Sequence, residues 1–138
     1  MSEQVMSSEV RAILAGRNFA HLATLLPDGA PHSVPVWIDV DGDRLVMFTQ
    51  TTSRKARNIE ADARVAVSAV DLDDPYRQCD LRGRVVERIG GDAAWEIADR
   101  LAVKYTGEPF PWRPPTTIAY VVEPELAHHV ALPFTHRA

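Results

Sequence analysis

The sequence has a single cysteine and no long apolar run. Because Cys79 has no second cysteine to pair with, an intrachain disulfide is excluded, which fits a reducing cytoplasm. No apolar segment approaches the roughly 20 residues that span a bilayer. The amino end, MSEQVMSSEV, lacks the basic region and apolar core of a signal peptide. We therefore expect a cytoplasmic protein that does not cross a membrane.

Several chemical signatures are missing as well. The formal net charge is −4, which argues against a nucleic-acid partner held by overall positive charge. No Ser-His-Asp spacing and no glycine-rich nucleotide fingerprint occurs. His128 and His129 would point to opposite faces of a strand, and the other histidines lie at no ligand spacing from them. We expect no metal site and assign no catalytic side chain.

The first third of the chain predicts one helix and then strands. Ser7 and Gly16 are placed to begin and end a short amphipathic helix. Two turn signals, PDG at 27–29 and DGD at 41–43, divide Phe19–Gln50 into three strands. We expect these strands to pair as an antiparallel meander. The second runs through Ile38, and Pro35 within it indicates an edge, a bulge or exposed backbone, because proline cannot donate a ladder hydrogen bond.

The rest of the chain adds strands and helices without the regular alternation of a parallel doubly wound fold. In chain order we expect a short helix at about Ser53–Ala61, a strand at Arg64–Val70, a strand at Cys79–Gly90, a long helix at Gly91–Tyr105, and a strand at Thr116–Val122 with a short extended tail. Six or seven strands with three helices predict a mainly β fold, a small barrel with a few peripheral helices. The 138 residues suit one domain, residues 1–138.

The stretch TTSRKARNIEADARV, residues 51–65, gathers Arg54, Lys55 and Arg57 at the start of the short predicted helix. A helix start already carries partial positive charge and favours acidic residues. It also offers unpaired backbone N–H groups, and three hydroxyl residues come just before it. A bound anion such as a phosphate would offset the cost of clustering the cations there. The pattern predicts an anion site.

The same charges admit a second interpretation. Arg54, Lys55 and Arg57 could form a solvated basic face that pairs with Asp62 or with acidic residues elsewhere. The hydroxyl run and the reversed charge order favour the anion site, and the charges alone leave both interpretations open.

Three phrases in the sequence resemble a known family. They are LATLLPDGAPHSVPVWIDVDGD, TTSRKARNIEADARVAVSAVD and DDPYRQCDLRGRV, and they resemble the pyridoxamine-5′-phosphate-oxidase-like split β-barrel proteins. Within that family they look most like the flavin/deazaflavin oxidoreductases that use coenzyme F420. The similarity covers about residues 8–125. Ala63 stands where the family usually has proline, which costs little because proline there only fixes φ after the helix.

The resemblance implies a split β-barrel and a homodimer with two cofactor sites, each at the seam between subunits. It implies an oxidoreductase in which reduced F420 passes hydride to a small unsaturated or conjugated substrate. Lys55 matches the family's phosphate-binding lysine, and Arg54 and Arg57 would lie close by. Ser53 stands where some members carry a basic residue.

Three further groups of residues are implied to contact the cofactor. The segment beside the cofactor ring would be Ser33, Val34, Pro35, Val36 and Trp37. The strand end on the phosphate side would be Thr49, Gln50 and Thr51. A loop that reaches the cofactor of the partner subunit would contain Tyr76 and Arg77.

Two other functions fit the same barrel. An FMN-dependent pyridoxamine-phosphate oxidase ranks second, because such members usually run longer and carry substrate-phosphate residues near the carboxyl end. This chain offers only His136 and Arg137 there. The third is a non-enzymatic carrier of F420 or haem. The sequence does not identify the substrate, whose pocket could be lined by Trp37, Tyr76, Phe110 and Trp112.

Overall fold

Residues 4–137 are described by the computed structural model, and seven of their segments pair into one antiparallel sheet. The three helices are α1 (Ser8–Ala15), α2 (Arg54–Ala61) and α3 (Gly91–Thr106). The strands are β1 (Ala20–Leu25), β2 (Pro31–Val36), β3 (Asp39–Asp41), β4 (Arg44–Gln50), β5 (Arg64–Val70), β6 (Arg77–Ile89) and β7 (Thr117–Ala131). The predicted mainly β class and all three predicted helices are confirmed.

The strand order is β2-β1-β5-β6-β7-β4-β3, so the expected three-stranded meander is wrong. The strands β1 and β2 form one hairpin, β3 and β4 form another, and β5, β6 and β7 pair consecutively between them. Both predicted turns do occur, with Gly29 and Gly42 at positive φ. The placement of β2 at the edge of the sheet agrees with the edge position that Pro35 indicated.

Two predicted strands end elsewhere than expected. The strand β2 stops at Val36, and the backbone N–H of Ile38 donates to the Tyr105 hydroxyl of α3 at 3.2 Å. Tyr105 is 67 residues away in sequence, so the local pattern carried no sign of this break. The last strand continues to Ala131 rather than ending at Val122, because β6 pairs with it along most of that length.

The core lies on one face of the sheet. Alternate side chains of the strands point inward there, and the apolar face of α1 joins them. The fully buried members include Ile13, Leu14, Leu22, Ile38, Leu45, Met47, Val67, Leu81 and Tyr120. Helix α3 contacts β4 and β7. The residues of those strands that point the other way, Val46, Ala119 and Val121, are also buried. Each fully buried large side chain contributes about 1.5–3 kcal/mol, so burial dominates the stability of the fold.

In the described part of the chain, no helix combines the length and the apolar character that a bilayer crossing requires.

Candidate functional site

Helix α2 is fixed at its start by a short chain of hydroxyl groups. The Ser53 hydroxyl caps it by accepting from the N–H of Ala56 at 3.1 Å. The Thr49 hydroxyl donates to the Ser53 hydroxyl at 3.0 Å and joins the cap to the end of β4. Ala56 and Ile59 are buried in the core, as the predicted apolar face requires. The helix therefore presents its first turn at a defined place on the barrel.

The three cations of that first turn have no acidic partner within residues 4–137. Arg54 and Arg57 are exposed, and Lys55 is half-buried. Asp62, which the second interpretation offered as a partner, pairs instead with Arg64 at 2.7 Å. Asp62 is therefore not the partner that the second interpretation offered, and the helix leaves three positive charges available to a ligand.

Among the three cations, Lys55 gives the strongest physical indication of an anion site. Burial lowers the pKa of its ammonium group, because removal from water penalises the charged form. The other lysine, Lys104, is also buried enough to lower its pKa, but Asp39 lies 3.6 Å away and the carbonyl oxygen of Leu14 accepts from it at 2.9 Å. Among the described residues, Lys55 has neither an acidic partner nor a carbonyl acceptor to offset its burial. A bound anion beside it would stabilise its charge.

A groove of about 720 Å³ opens beside Lys55. Its lining is almost wholly apolar and consists of Phe19, His21, Pro35, Val36, Trp37, Phe48, Lys55, Val70 and Leu72. Lys55 and His21 are the only lining side chains able to carry charge. Such a lining suits a flat apolar group with a negatively charged end.

The predicted ring-side segment lies partly in this groove. Pro35, Val36 and Trp37 line it, whereas Ser33 is exposed on β2 and Val34 packs toward the core. Since β2 pairs only with β1, its other backbone edge faces no strand of the described chain.

The predicted phosphate-side residues end β4 beside the helix start. Thr49 is buried and bonded to Ser53, as described above. The side-chain amide of Gln50 is already engaged, since its oxygen accepts from the Thr116 hydroxyl at 2.5 Å and its nitrogen donates to the Thr117 hydroxyl at 3.2 Å. Thr51 is exposed, and its hydroxyl makes no hydrogen bond within residues 4–137.

Tyr76 and Arg77 are not brought to the groove of their own subunit. The Arg77 guanidinium pairs with Asp71 at 2.8 Å, and the Tyr76 ring contacts Phe134 at a centroid distance of 5.3 Å. Tyr76 lies in the predicted loop, whereas Arg77 is the first residue of β6, and neither lines the groove beside Lys55.

Sequence reasoning missed five of the nine lining residues: Phe19, His21, Phe48, Val70 and Leu72. The pairing register of the first hairpin could have identified His21, because His21 lies directly opposite Pro35 where β1 pairs with β2. Among the aromatic candidates only Trp37 lines the groove. Phe110 packs on Phe48, and the side chain of Trp112 is 67% exposed.

A second groove of about 700 Å³ lies over β1, β5, β6 and β7. Arg64 and Arg84 on its rim are paired with Asp62 and Glu125, at 2.7 and 3.6 Å. None of the predicted site residues lines it. The third arginine of this groove, Arg82, has no acidic partner among the described residues but is exposed, whereas Lys55 is half-buried. We therefore place the candidate site at the groove beside Lys55.

Comparison with known proteins locates the chain among relatives. The protein-family profile described as pyridoxamine 5′-phosphate oxidase matches residues 6–131. A solved F420 reductase is 31% identical over 86% of this chain and 94% of its own, with a TM-score of 0.77. No curated protein has a matching sequence.

Two more distant structures show the same fold. A conserved hypothetical protein from Mycobacterium tuberculosis is 22% identical, covers 100% of this chain and 96% of its own, and has a TM-score of 0.77. General stress protein 26 from Bacillus anthracis is 17% identical over 88% of this chain and 91% of its own, with a TM-score of 0.68.

Proposed function

The chain belongs to the pyridoxamine 5′-phosphate oxidase family and has its split-barrel fold, and on that premise we propose that it is an oxidoreductase that binds coenzyme F420 beside Lys55. The observation that carries the proposal is the half-buried Lys55 ammonium, which has no acidic partner among the described residues and borders an apolar groove. The 31% identity to an F420 reductase favours a deazaflavin over other phosphate-bearing cofactors.

The residues present fit such a cofactor. Lys55 would bind its phosphate, with Arg54 and Arg57 adding charge from the same exposed helix turn and Ser53 and Thr51 adding hydroxyl donors. The ring would lie along Pro35, Val36 and Trp37. When bound and reduced, F420 supplies a hydride to a small unsaturated or conjugated substrate.

The protein's own contribution is position and exclusion of water. The apolar lining would exclude water from the ring, and the end of β2, anchored by the hydrogen bond from the Ile38 N–H to the Tyr105 hydroxyl, would fix where the ring lies. No lining side chain is required as a nucleophile or a metal ligand, so we assign no catalytic residue.

We further propose that two copies form a homodimer in the cytoplasm, with each cofactor site at the seam. Leu126 and Val130 on β7 are each 41% exposed, and Phe134 beyond it is 60% exposed, which leaves apolar surface for a second copy. Tyr76 and Arg77 would then reach the groove of that copy. Light scattering in line with gel filtration tests this, and a monomeric mass at micromolar concentration contradicts it.

FMN is the alternative cofactor, because the matched family profile is that of pyridoxamine 5′-phosphate oxidase and a phosphate site accepts either ligand. Equilibrium titration of F420 and FMN, side by side, separates the two. We expect F420 to bind more tightly. Tight FMN binding with no F420 binding at micromolar protein would make the chain an FMN protein. F420 binding without turnover of any enone or quinone would make it a carrier.

A further inference from the structure

We propose that Tyr105 and Asn18 are positioning residues that preset one wall of the groove, formed by Phe19, Trp37 and Leu72, for a planar conjugated ring. The identity of the ring rests on the proposed function. The arrangement of the wall rests on the contacts described here.

Tyr105 holds two of the wall residues by both ring and backbone. Its ring stacks on Trp37 at 5.4 Å with an interplanar angle of 7°, and on Phe19 at 5.7 Å with 25°. Its hydroxyl donates to the carbonyl oxygen of Asn18 at 2.7 Å and accepts from the N–H of Ile38 at 3.2 Å. Asn18 and Ile38 are the sequence neighbours of Phe19 and Trp37. The Tyr105 side chain of α3 therefore fixes the rings of Phe19 and Trp37 together with the backbone next to each of them.

Asn18 holds the third wall residue. Its side chain is almost wholly buried, and its oxygen accepts from the backbone N–H of Leu72 at 2.9 Å. Its amide nitrogen donates to the carbonyl oxygen of Ile13 at 2.8 Å, which ties the group to the end of α1. The loop that carries Leu72 is thereby fixed to the same point as Phe19.

The consequence is a wall that is exposed yet ordered. Phe19 and Leu72 are 47% and 53% exposed, although large apolar side chains gain free energy by burial. Aromatic rings favour stacked or edge contacts with other rings, so a wall of this kind suits a flat conjugated group. A wall that is already ordered avoids the entropic cost of ordering it on binding.

The test uses three single variants of the full chain. Tyr105→Phe keeps the ring and removes the hydroxyl, Tyr105→Leu removes the ring, and Thr106→Val is the matched control. Within the described chain, the Thr106 hydroxyl makes hydrogen bonds only with Ala102 and Glu108 near the end of α3, and none with a wall residue. The readouts are the indole N–H resonance of Trp37, assigned with a Trp37→Phe variant, and the dissociation constants for F420 and FMN.

We expect both Tyr105 variants to shift the Trp37 resonance. Affinity for the cofactor that binds should fall about fivefold in Tyr105→Phe and about tenfold or more in Tyr105→Leu. Thr106→Val should change neither quantity.

An unshifted Trp37 resonance in both Tyr105 variants would overturn the proposed wall, and unchanged affinity despite a shifted resonance would overturn its role in ligand binding. If the Tyr105→Leu variant does not fold, the Tyr105→Phe variant alone tests the proposed wall. Wild-type protein that binds neither cofactor would contradict the proposed function, while the resonance would still test the wall.

Discussion

The side-chain nitrogen of Asn58 in α2 donates a 3.0 Å hydrogen bond to the hydroxyl of Thr24 in β1, and both side chains are almost wholly buried. Asn58 lies three residues after Lys55, so this bond joins the helix that presents the cations to the strand beside the β2 edge. Buried polar groups cost most when they lose a partner.

That bond should be measurable as a coupling energy. Thr24→Val leaves the Asn58 amide without its partner and should lower the free energy of unfolding by about 1–3 kcal/mol. Combined with Asn58→Ala, the two changes should cost less than the sum of the single changes, by about 1 kcal/mol. Urea unfolding of the wild type and the three variants gives the cycle. Strictly additive costs would show that the bond does not stabilise the protein.

The two lysines of the chain should respond oppositely to the same substitution. Lys55→Met removes a charge that lacks an acidic partner within residues 4–137, so we expect unchanged or higher thermal stability and about 10- to 100-fold weaker F420 binding. Lys104→Met removes hydrogen bonds to the Leu14 and Ile38 carbonyl oxygens and should lower the free energy of unfolding by about 1–3 kcal/mol.

Each lysine variant is the control for the other. Thermal unfolding and F420 titration on both variants check the prediction. It would be wrong if Lys55→Met were the less stable protein or bound F420 as well as the wild type does.

Cofactor affinity should depend on pH through Lys55. Burial lowers the pKa of this group below the ordinary value of about 10.4, and a phosphate ligand favours its protonated form. Affinity should be greatest below the pKa of Lys55 in the folded protein and should decline as the pH rises through it. Lys55→Arg keeps its charge at high pH and should flatten this decline. A titration series from neutral to alkaline pH measures both proteins, and parallel curves would remove Lys55 from the site.

The paired strands β6 and β7 approach each other so closely at Gly83 that we expect no side chain to be tolerated there. A Cβ there would collide with the backbone carbonyl oxygen of Glu123, at a register shift between the two strands. We expect Gly83→Ala to lower the free energy of unfolding by about 1–3 kcal/mol or more, because backbone must move. Gly90→Ala is the control, since a Cβ at Gly90 meets no atom within 4 Å. Denaturant unfolding compares them, and equal stabilities would contradict the collision.

Much of the fold was predictable because its signals are local. The turn glycines Gly29 and Gly42, the Ser53 cap and the apolar spacing of α3 all act within a few residues, and each predicted element containing them was found. The anion site was predicted in the same way, from charge order along one short helix.

The errors share one cause, which is contact between distant parts of the chain. The sequence gives no local reason for β2 to stop before Ile38, because the partner of that backbone N–H is Tyr105. The meander failed because β2 lies at the edge of the sheet and does not pair with β4, whose partners are β3 and β7. Most of the groove lining was missed for the same reason, since Phe48, Val70 and Leu72 meet His21 only after the sheet has formed.

A crystal structure of the protein with bound F420 tests the central claim most directly. The account predicts the cofactor phosphate within hydrogen-bond distance of the Lys55 ammonium, about 2.7–3.2 Å, and the ring against Pro35 and Trp37. A phosphate bound away from Lys55, for example beside Arg82 in the second groove, would contradict it.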